Sequence, residues 1–182
     1  MFSFDPRLVT QVGDRSLRVV GYRHLAPGFN PKSGEGARRL GGRFNPCQSF
    51  PVLYLCTTPA CTAAELTRLA RRQGIAVEQF LPREVWRIQV DLTRVLDLTD
   101  DTVLDTLELE IGSLVSDDYS LTNEIGEAAY EQGFQAIVTR SATAVDDVIA
   151  IFTEKLGKSI LQTDLVERWR SPTDLASWGP TG

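Results

Sequence analysis

The sequence predicts a single α+β domain, a central sheet flanked by helices, and three observations carry that expectation. Runs of β-branched and aromatic residues recur along the chain, one of them with the period-2 alternation of a half-buried strand. Elsewhere, helix start and stop signals bracket whole segments. The strand-like runs Phe134 to Thr139 and Val148 to Thr153 follow one another with no helix between them, unlike the strict alternation of a doubly wound sheet. With 182 residues the chain can bury one sizeable core and is short for two.

The elements follow in order. Leu17 to Tyr22 is rich in β-formers and reads as a first strand leading into Arg23. Ala26 to Asn45 is rich in glycine and proline, with almost nothing apolar, and is predicted to be one long loop. Loops of that length inside a compact domain are usually functional. Pro51 to Cys56 is a short buried strand. Thr58 then supplies a cap and Pro59 a first turn for a helix that runs to about Gln73 and stops at Gly74. Val85 to Leu92 alternates as a strand, and Val95 to Leu98 reads as another short one. Asp100 to Leu109 suggests a helix, and Tyr119 to Gln132 a second ending at Gly133. Ser159 to Leu165 fits either a strand or a helix. Residues 171–182 read as a loose C-terminal tail behind a domain of residues 1–170.

Composition narrows the classes. A formal net charge of −5 argues against a nucleic-acid binder, which usually carries a basic surplus. Arg38, Arg39 and Arg43 nevertheless concentrate positive charge, with no acid between them, where the glycines are. Cys47, Cys56 and Cys61 are odd in number with no paired spacing, as reduced thiols of a cytosolic protein would be. His24 is the one histidine and no Cys-x-x-Cys occurs, so no metal site is expected. The N-terminus lacks the basic region and apolar run of a signal peptide. No stretch approaches the roughly 20 apolar residues of a membrane helix, so a soluble, cytoplasmic protein is expected, without membrane contact.

Two features carry chemistry. In Gly34-Glu35-Gly36-Ala37-Arg38-Arg39-Leu40-Gly41-Gly42-Arg43-Phe44-Asn45-Pro46, glycines would let the backbone approach an anion and arginines would fork onto its oxygens. That describes a cradle for a pyrophosphate. It lacks the spacings of a Walker loop or of the Rossmann fingerprint. The alternative is a flexible surface loop with solvated arginines. The second feature is Glu65, on the predicted helix behind small residues, where a carboxylate could support positive charge developing on a sugar. Its alternative is a solvated glutamate paired with Arg68 or Arg72.

The order Tyr22-Arg23, Gly41-Gly42-Arg43-Phe44-Asn45-Pro46, Leu53-Tyr54-Leu55 and Ala64-Glu65 resembles the N-terminal half of the RES domain, the toxin of bacterial RES–Xre toxin–antitoxin pairs. Asp117-Asp118-Tyr119-Ser120, Asn123-Glu124-Ile125-Gly126 and the run from Gly133-Phe134 to Arg140-Ser141-Ala142 continue it, so the resemblance spans Tyr22 to Phe152. It implies a fold related to ADP-ribosyltransferase toxins, with NAD held in a cleft as substrate. No cofactor is implied. It implies cleavage of the nicotinamide–ribose bond, by phosphorolysis to ADP-ribose-1″-phosphate in preference to hydrolysis or protein ADP-ribosylation, with inorganic phosphate as co-substrate. Carried over by residue, Glu65, Arg43 and Tyr54 are the expected catalytic residues, and Arg23, Arg43, Tyr54 and Ser120 the substrate-binding ones. Ser120 is preferred to Ser141 as the family's serine. Arg140 stands where relatives have proline, and Asp146-Asp147 where they often carry asparagine. An Xre-type antitoxin covering the cleft and a homodimer are the implied partners.

On charge grounds, an ionised Glu65 would stabilise the oxocarbenium-like sugar, and nicotinamide leaves neutral without a general acid. Tyr54 could stack on a ring or donate its hydroxyl. Arg23, Arg38, Arg39 and Arg43 would suffice for pyrophosphate and phosphate pockets. The rival readings are a module that binds NAD or ADP-ribose without chemistry, and an interaction protein whose arginine loop docks an acidic partner.

Overall fold

The computed structural model describes residues 4–157 and 161–178. Strand β1 (Arg15–Leu25) is followed by a short helix α1 (Glu35–Leu40), strand β2 (Val52–Cys56) and helix α2 (Pro59–Gln73). The long strand β3 (Arg83–Asp97) leads through α3 (Asp101–Thr106), α4 (Ile111–Leu114) and α5 (Ser120–Glu131) to β4 (Ala136–Arg140). Strands β5 (Asp147–Phe152) and β6 (Gln162–Trp169) and helix α6 (Pro172–Ala176) complete the fold.

The strand pairings return on themselves: β1 to β2, β2 to β5, β5 to β4, β4 to β3, and β3 back to β1. Strand β3 makes this possible by sharing one edge between two neighbours. Its first half runs antiparallel to β6, and Val95–Asp97 pair parallel with β4. A parallel pair needs a crossover, and α3 to α5 form it. Between β1 and β2 the register holds at one position only, Tyr22 with Cys56. The two strands diverge there, and the divergence leaves a cleft.

Alternation along the strands sorts their side chains into two layers. Leu53, Leu55, Ile88, Val90, Leu92, Val138, Ile149 and Ile151 pack together inside the closed arrangement. Val52, Ile137 and Phe152 face the other way, onto Ile125, Ala128 and Ala129 of α5 and Leu104 and Leu107. A third cluster joins Ala63 and Leu66 of α2 to Val85, Trp169 and Leu175. Leu66 is wholly buried, which is worth about 2 kcal/mol relative to exposure. That cluster fixes α2 against the sheet beside the cleft.

Helix α2 has the predicted limits. The Thr58 hydroxyl accepts from the Cys61 N–H, and Gly74 closes the helix in the left-handed conformation at φ 64°. Four expectations are corrected. Val85–Leu92 and Val95–Leu98 are one strand, because Gln135 Oε1 accepts the Thr93 and Arg94 N–H groups and carries the ladder across the bend. The 26–45 loop contains α1, which has no apolar stripe to announce it and leaves Leu40 exposed. The helix expected over Asp100–Leu109 ends at Thr106, and Glu108 takes φ 55°. Residues 171–178 are no loose tail: Ser171 and Asp174 form a reciprocal capping box, Leu175 is buried, and Trp178 meets Trp169 edge-on at 5.9 Å. Residues 179–182 of that tail lie outside the described residues. Of the Ser159–Leu165 segment, residues 159 and 160 lie outside them, and the rest enters β6.

Candidate active site

The cleft encloses about 600 Å³ between the end of β1, β2, α2, the Gly41–Phe44 loop and the end of β4. Its most constrained wall is the turn from Gly42 to Asn45. The Gly42 N–H donates to the Asn45 carbonyl at 2.9 Å, and Asn45 Nδ2 donates to the Ala37 carbonyl at 2.8 Å. The Tyr54 hydroxyl accepts from the Phe44 N–H at 2.8 Å and donates to Asn45 Oδ1 at 2.9 Å. A Cβ on Gly42 would lie 2.6 Å from the Tyr54 hydroxyl, and one on Gly126 would lie 2.0 Å from the Phe44 carbonyl oxygen. Both glycines are therefore contacts, Gly42 against β2 and Gly126 holding α5 against the turn.

Arg43 stands in that turn. Its Nη1 donates to the carbonyls of Leu114 at 2.7 Å and Ser116 at 2.8 Å, and its guanidinium carbon lies 4.7 Å from the Tyr119 ring centroid. Burial lowers its pKa from the ordinary value, with Tyr119 opposing. Arg23 is held the same way, donating to the carbonyls of Pro31 at 3.0 Å and Ser33 at 2.9 Å. Burial brings its pKa down to about 10, which leaves it cationic at neutral pH. Both arginines are thus oriented by neutral carbonyls and keep their charge for the cleft. The Tyr54 phenol is pushed well above its ordinary pKa by burial, so it is neutral. Its hydroxyl donates to Asn45 and accepts from Phe44, so it braces the turn, whereas a free donor or a stacking platform was expected.

Glu65 lines the cleft from α2. Ser141, 2% exposed at the end of β4, donates its hydroxyl to Glu65 Oε1 at 2.7 Å. The Ser141 oxygen in turn accepts from the Thr143 N–H at 3.0 Å and lies 2.6 Å from Thr143 Oγ1. Ser120 is elsewhere. It is exposed at the start of α5, its hydroxyl donates to Asp118 Oδ1 at 2.6 Å, and it is not part of the cleft wall. The Asp118 carboxyl is held below its usual range by that bond. Of the two serines that the sequence left in question, Ser141 lines the cleft and reaches the Glu65 carboxylate, whereas Ser120, the one preferred, does neither.

Arg38 and Arg39 are also off the cleft wall, Arg38 pairing with Glu35 at 3.5 Å. Their place is taken by Arg68 and Arg72, which line the cleft one and two turns beyond Glu65. Neither is among the cations that the glycine-rich segment suggested. Their pairing with Glu65 is not observed; Asp117 is the partner of both. Helical spacing from Glu65 is the signal that could have placed them. Tyr119, Thr139 and His24 are among the other wall residues that the sequence did not announce. Among the described residues no group of three or more histidine, cysteine or carboxylate side chains gathers as metal ligands, and all three cysteines are free thiols.

The fold is thus a closed sheet beside a cleft that several arginines line together with one carboxylate held by a serine. The chain belongs to the RES-domain family, whose model matches residues 17–174. Over 143 residues it is 31% identical to the NAD(+) phosphorylase MbcT of Mycobacterium tuberculosis and of Mycobacterium bovis, covering 78% of this chain and 77% of each relative. Its fold is similar to a chain in the crystal structure of the M. tuberculosis MbcT–MbcA toxin–antitoxin complex, with a TM-score of 0.76 and 26% identity. That superposition covers 95% of this chain and 93% of the other.

Proposed function

We propose that this chain is the toxin of a toxin–antitoxin pair and that it destroys NAD by phosphorolysis. The observation that carries the proposal is Glu65, oriented by the buried Ser141 hydroxyl at 2.7 Å in the cleft that Arg43 and Arg23 also enter. In the reaction the bond between nicotinamide nitrogen and ribose C1″ breaks, and its electron pair leaves with neutral nicotinamide. A phosphate oxygen forms the new bond to C1″, giving ADP-ribose-1″-phosphate. The transition state is cationic at the sugar, so a fixed carboxylate stabilises it more than the ground state. Ser141 contributes by keeping that carboxylate from swinging into solvent. Arg43 and Arg23 hold phosphate oxygens on the charge that the wall carbonyls leave uncancelled. NAD is substrate here, phosphate co-substrate, and no cofactor takes part.

The similarity to a toxin named as phosphorylase, and to a chain crystallised with its antitoxin, supports the reading. An Xre-type antitoxin covering the cleft, a homodimer and a cytoplasmic location belong to the same proposal. No helix among the described residues is long and apolar enough to cross a membrane. The test is a product assay with NAD and the purified chain, with and without phosphate. Nicotinamide release that rises with phosphate, with ADP-ribose-1″-phosphate as co-product, is expected. Plain ADP-ribose at saturating phosphate would make the chain a hydrolase. Transfer of ADP-ribose to a protein would make it a transferase, and intact NAD would leave a binding module.

A further inference from the structure

We propose that Arg68 and Arg72 form a phosphoryl-anion subsite of the cleft, which the Asp117 carboxylate occupies until a ligand displaces it. The proposal deepens the NAD-cleaving reading and rests on it for the identity of the anion. Glu65, Arg68, Leu69 and Arg72 fall on one face of α2 at helical spacing, and all four line the cleft. The Arg68 side chain is only 19% exposed, and Asp117, 68% exposed in the segment before α5, bridges Arg68 and lies 3.7 Å from Arg72.

The partners of Arg23, Arg43, Arg68 and Arg72 differ in kind, and the fifth cleft arginine, Arg140, pairs with Asp147 at 3.1 Å. Arg23 and Arg43 rest on neutral carbonyls of the wall, contacts that survive when an anion arrives. Arg68 and Arg72 instead share one carboxylate, an anion on the same guanidinium groups that a ligand anion would use, and Arg72 also donates to the Tyr119 hydroxyl. An ion pair of such an exposed carboxylate stabilises little, so its displacement costs little. The charge also points that way. The guanidinium carbons of Arg43 and Arg72 lie 4.7 and 5.1 Å from the Tyr119 ring centroid, and Arg68 lines the cleft with them, so three cations share this part of the wall. Arg68 even lowers the Arg43 pKa, a sign that these like charges interact. Glu65 is already bonded to Ser141, so one displaceable carboxylate serves the group. A phosphoryl dianion, accepting two or more guanidinium bonds, neutralises it better. The source is either free inorganic phosphate or the pyrophosphate of the dinucleotide.

The test titrates the full chain by calorimetry with inorganic phosphate and, separately, with ADP-ribose, at constant ionic strength. Asp117→Asn keeps the shape and removes the competing charge, so Kd for the bound probe should fall about fivefold. Arg68→Gln combined with Arg72→Gln should raise it tenfold or more. Tighter binding in Asp117→Asn cannot come from unfolding. A response to inorganic phosphate assigns the subsite to the nucleophile, and a response to ADP-ribose alone assigns it to the pyrophosphate. Unchanged Kd values for both probes in both variants overturn the proposal. Nicotinamide release measured in parallel separates the two readings. Phosphate shifts without nicotinamide sink NAD cleavage and keep the subsite. Nicotinamide release with one phosphate KM across all variants does the reverse.

Discussion

Ser141→Ala removes a single hydroxyl from a position that is 2% exposed. The backbone should stay in place, because the Ser141 N–H still donates to the Asp146 carbonyl at 3.0 Å and the Ala144 N–H to the Ser141 carbonyl at 3.0 Å. What disappears is the donor 2.7 Å from Glu65 Oε1. A hydrogen bond to a charged group is worth about 1.5–3 kcal/mol, and 1.4 kcal/mol is a factor of ten in rate. If the bond acts by aiming the carboxylate at the developing cation, kcat should fall roughly tenfold to a hundredfold while the KM for NAD changes little. Thr143 loses its acceptor too, so a stability loss of about 1 kcal/mol should accompany it. The assay is nicotinamide release against NAD concentration, with a urea midpoint to confirm folding. Ser120→Ala is the paired control: its hydroxyl meets Asp118 outside the cleft, and kcat should stay within about twofold. A Ser141→Ala enzyme at normal kcat beside a crippled Ser120→Ala enzyme would refute the Glu65–Ser141 assignment.

Three further outcomes are expected. Glu65→Gln should lower turnover about a hundredfold with NAD binding little changed, whereas Arg43→Ala should weaken binding along with turnover; kinetics and calorimetry on both variants check this. Gly126→Ala places a Cβ 2.0 Å from the Phe44 oxygen, so α5 must move off the Arg43 turn. A thermal midpoint corresponding to a loss of about 1–3 kcal/mol, together with weaker NAD binding, is the expected result, and a wild-type midpoint would deny the contact. Burial, with Arg83 and Arg23 adding repulsion, pushes the His24 pKa down to about 3. Below the ordinary value near 6.5 the unfolded chain takes up a proton that the folded chain refuses, so stability falls as pH drops from about 6.5 toward 3, by at most about 1.4 kcal/mol per unit. Urea midpoints at pH 7 and pH 5 should therefore differ more in the native chain than in His24→Gln, and equal differences would count against a neutral buried imidazole.

What the sequence announced, it announced locally. Thr58, Pro59 and Gly74 bracket α2, and each acts on its own helix end, so those limits were readable without knowing the fold. Arg43 and Glu65 stood out because their surroundings are chemically unusual within a few residues. Ser141 did not, because its role depends on the end of β4 meeting α2 across 76 residues of chain. Arg68 lay hidden for a related reason: Glu65 sits three residues away, while its actual partner Asp117 is 49 residues off. The short α1 has no apolar stripe, so no periodicity could reveal it. Helix α6 was legible after all, since Ser171 and Asp174 have the spacing of a capping box, and terminal position alone suggested a loose end.

The two residues Thr57 and Thr58 join β2 to α2, and this short connection fixes an angular phase. Tyr54 is set by the pleat of β2, Glu65, Arg68 and Arg72 by the turns of α2, and Thr57 ties the joint to Asp146 at 2.9 Å. An α-helix advances about 100° per residue. One residue gained or lost between Thr58 and Glu65 would therefore swing the carboxylate and both cations together off the cleft, while Leu66 left the core. Such a change would not weaken the site by degrees; it would rotate its chemistry to the wrong side of the helix. The segment from Val52 to Gln73 is thus a stretch in which length is as strictly constrained as identity, and shuffled or inserted variants of the family should retain it without a gap.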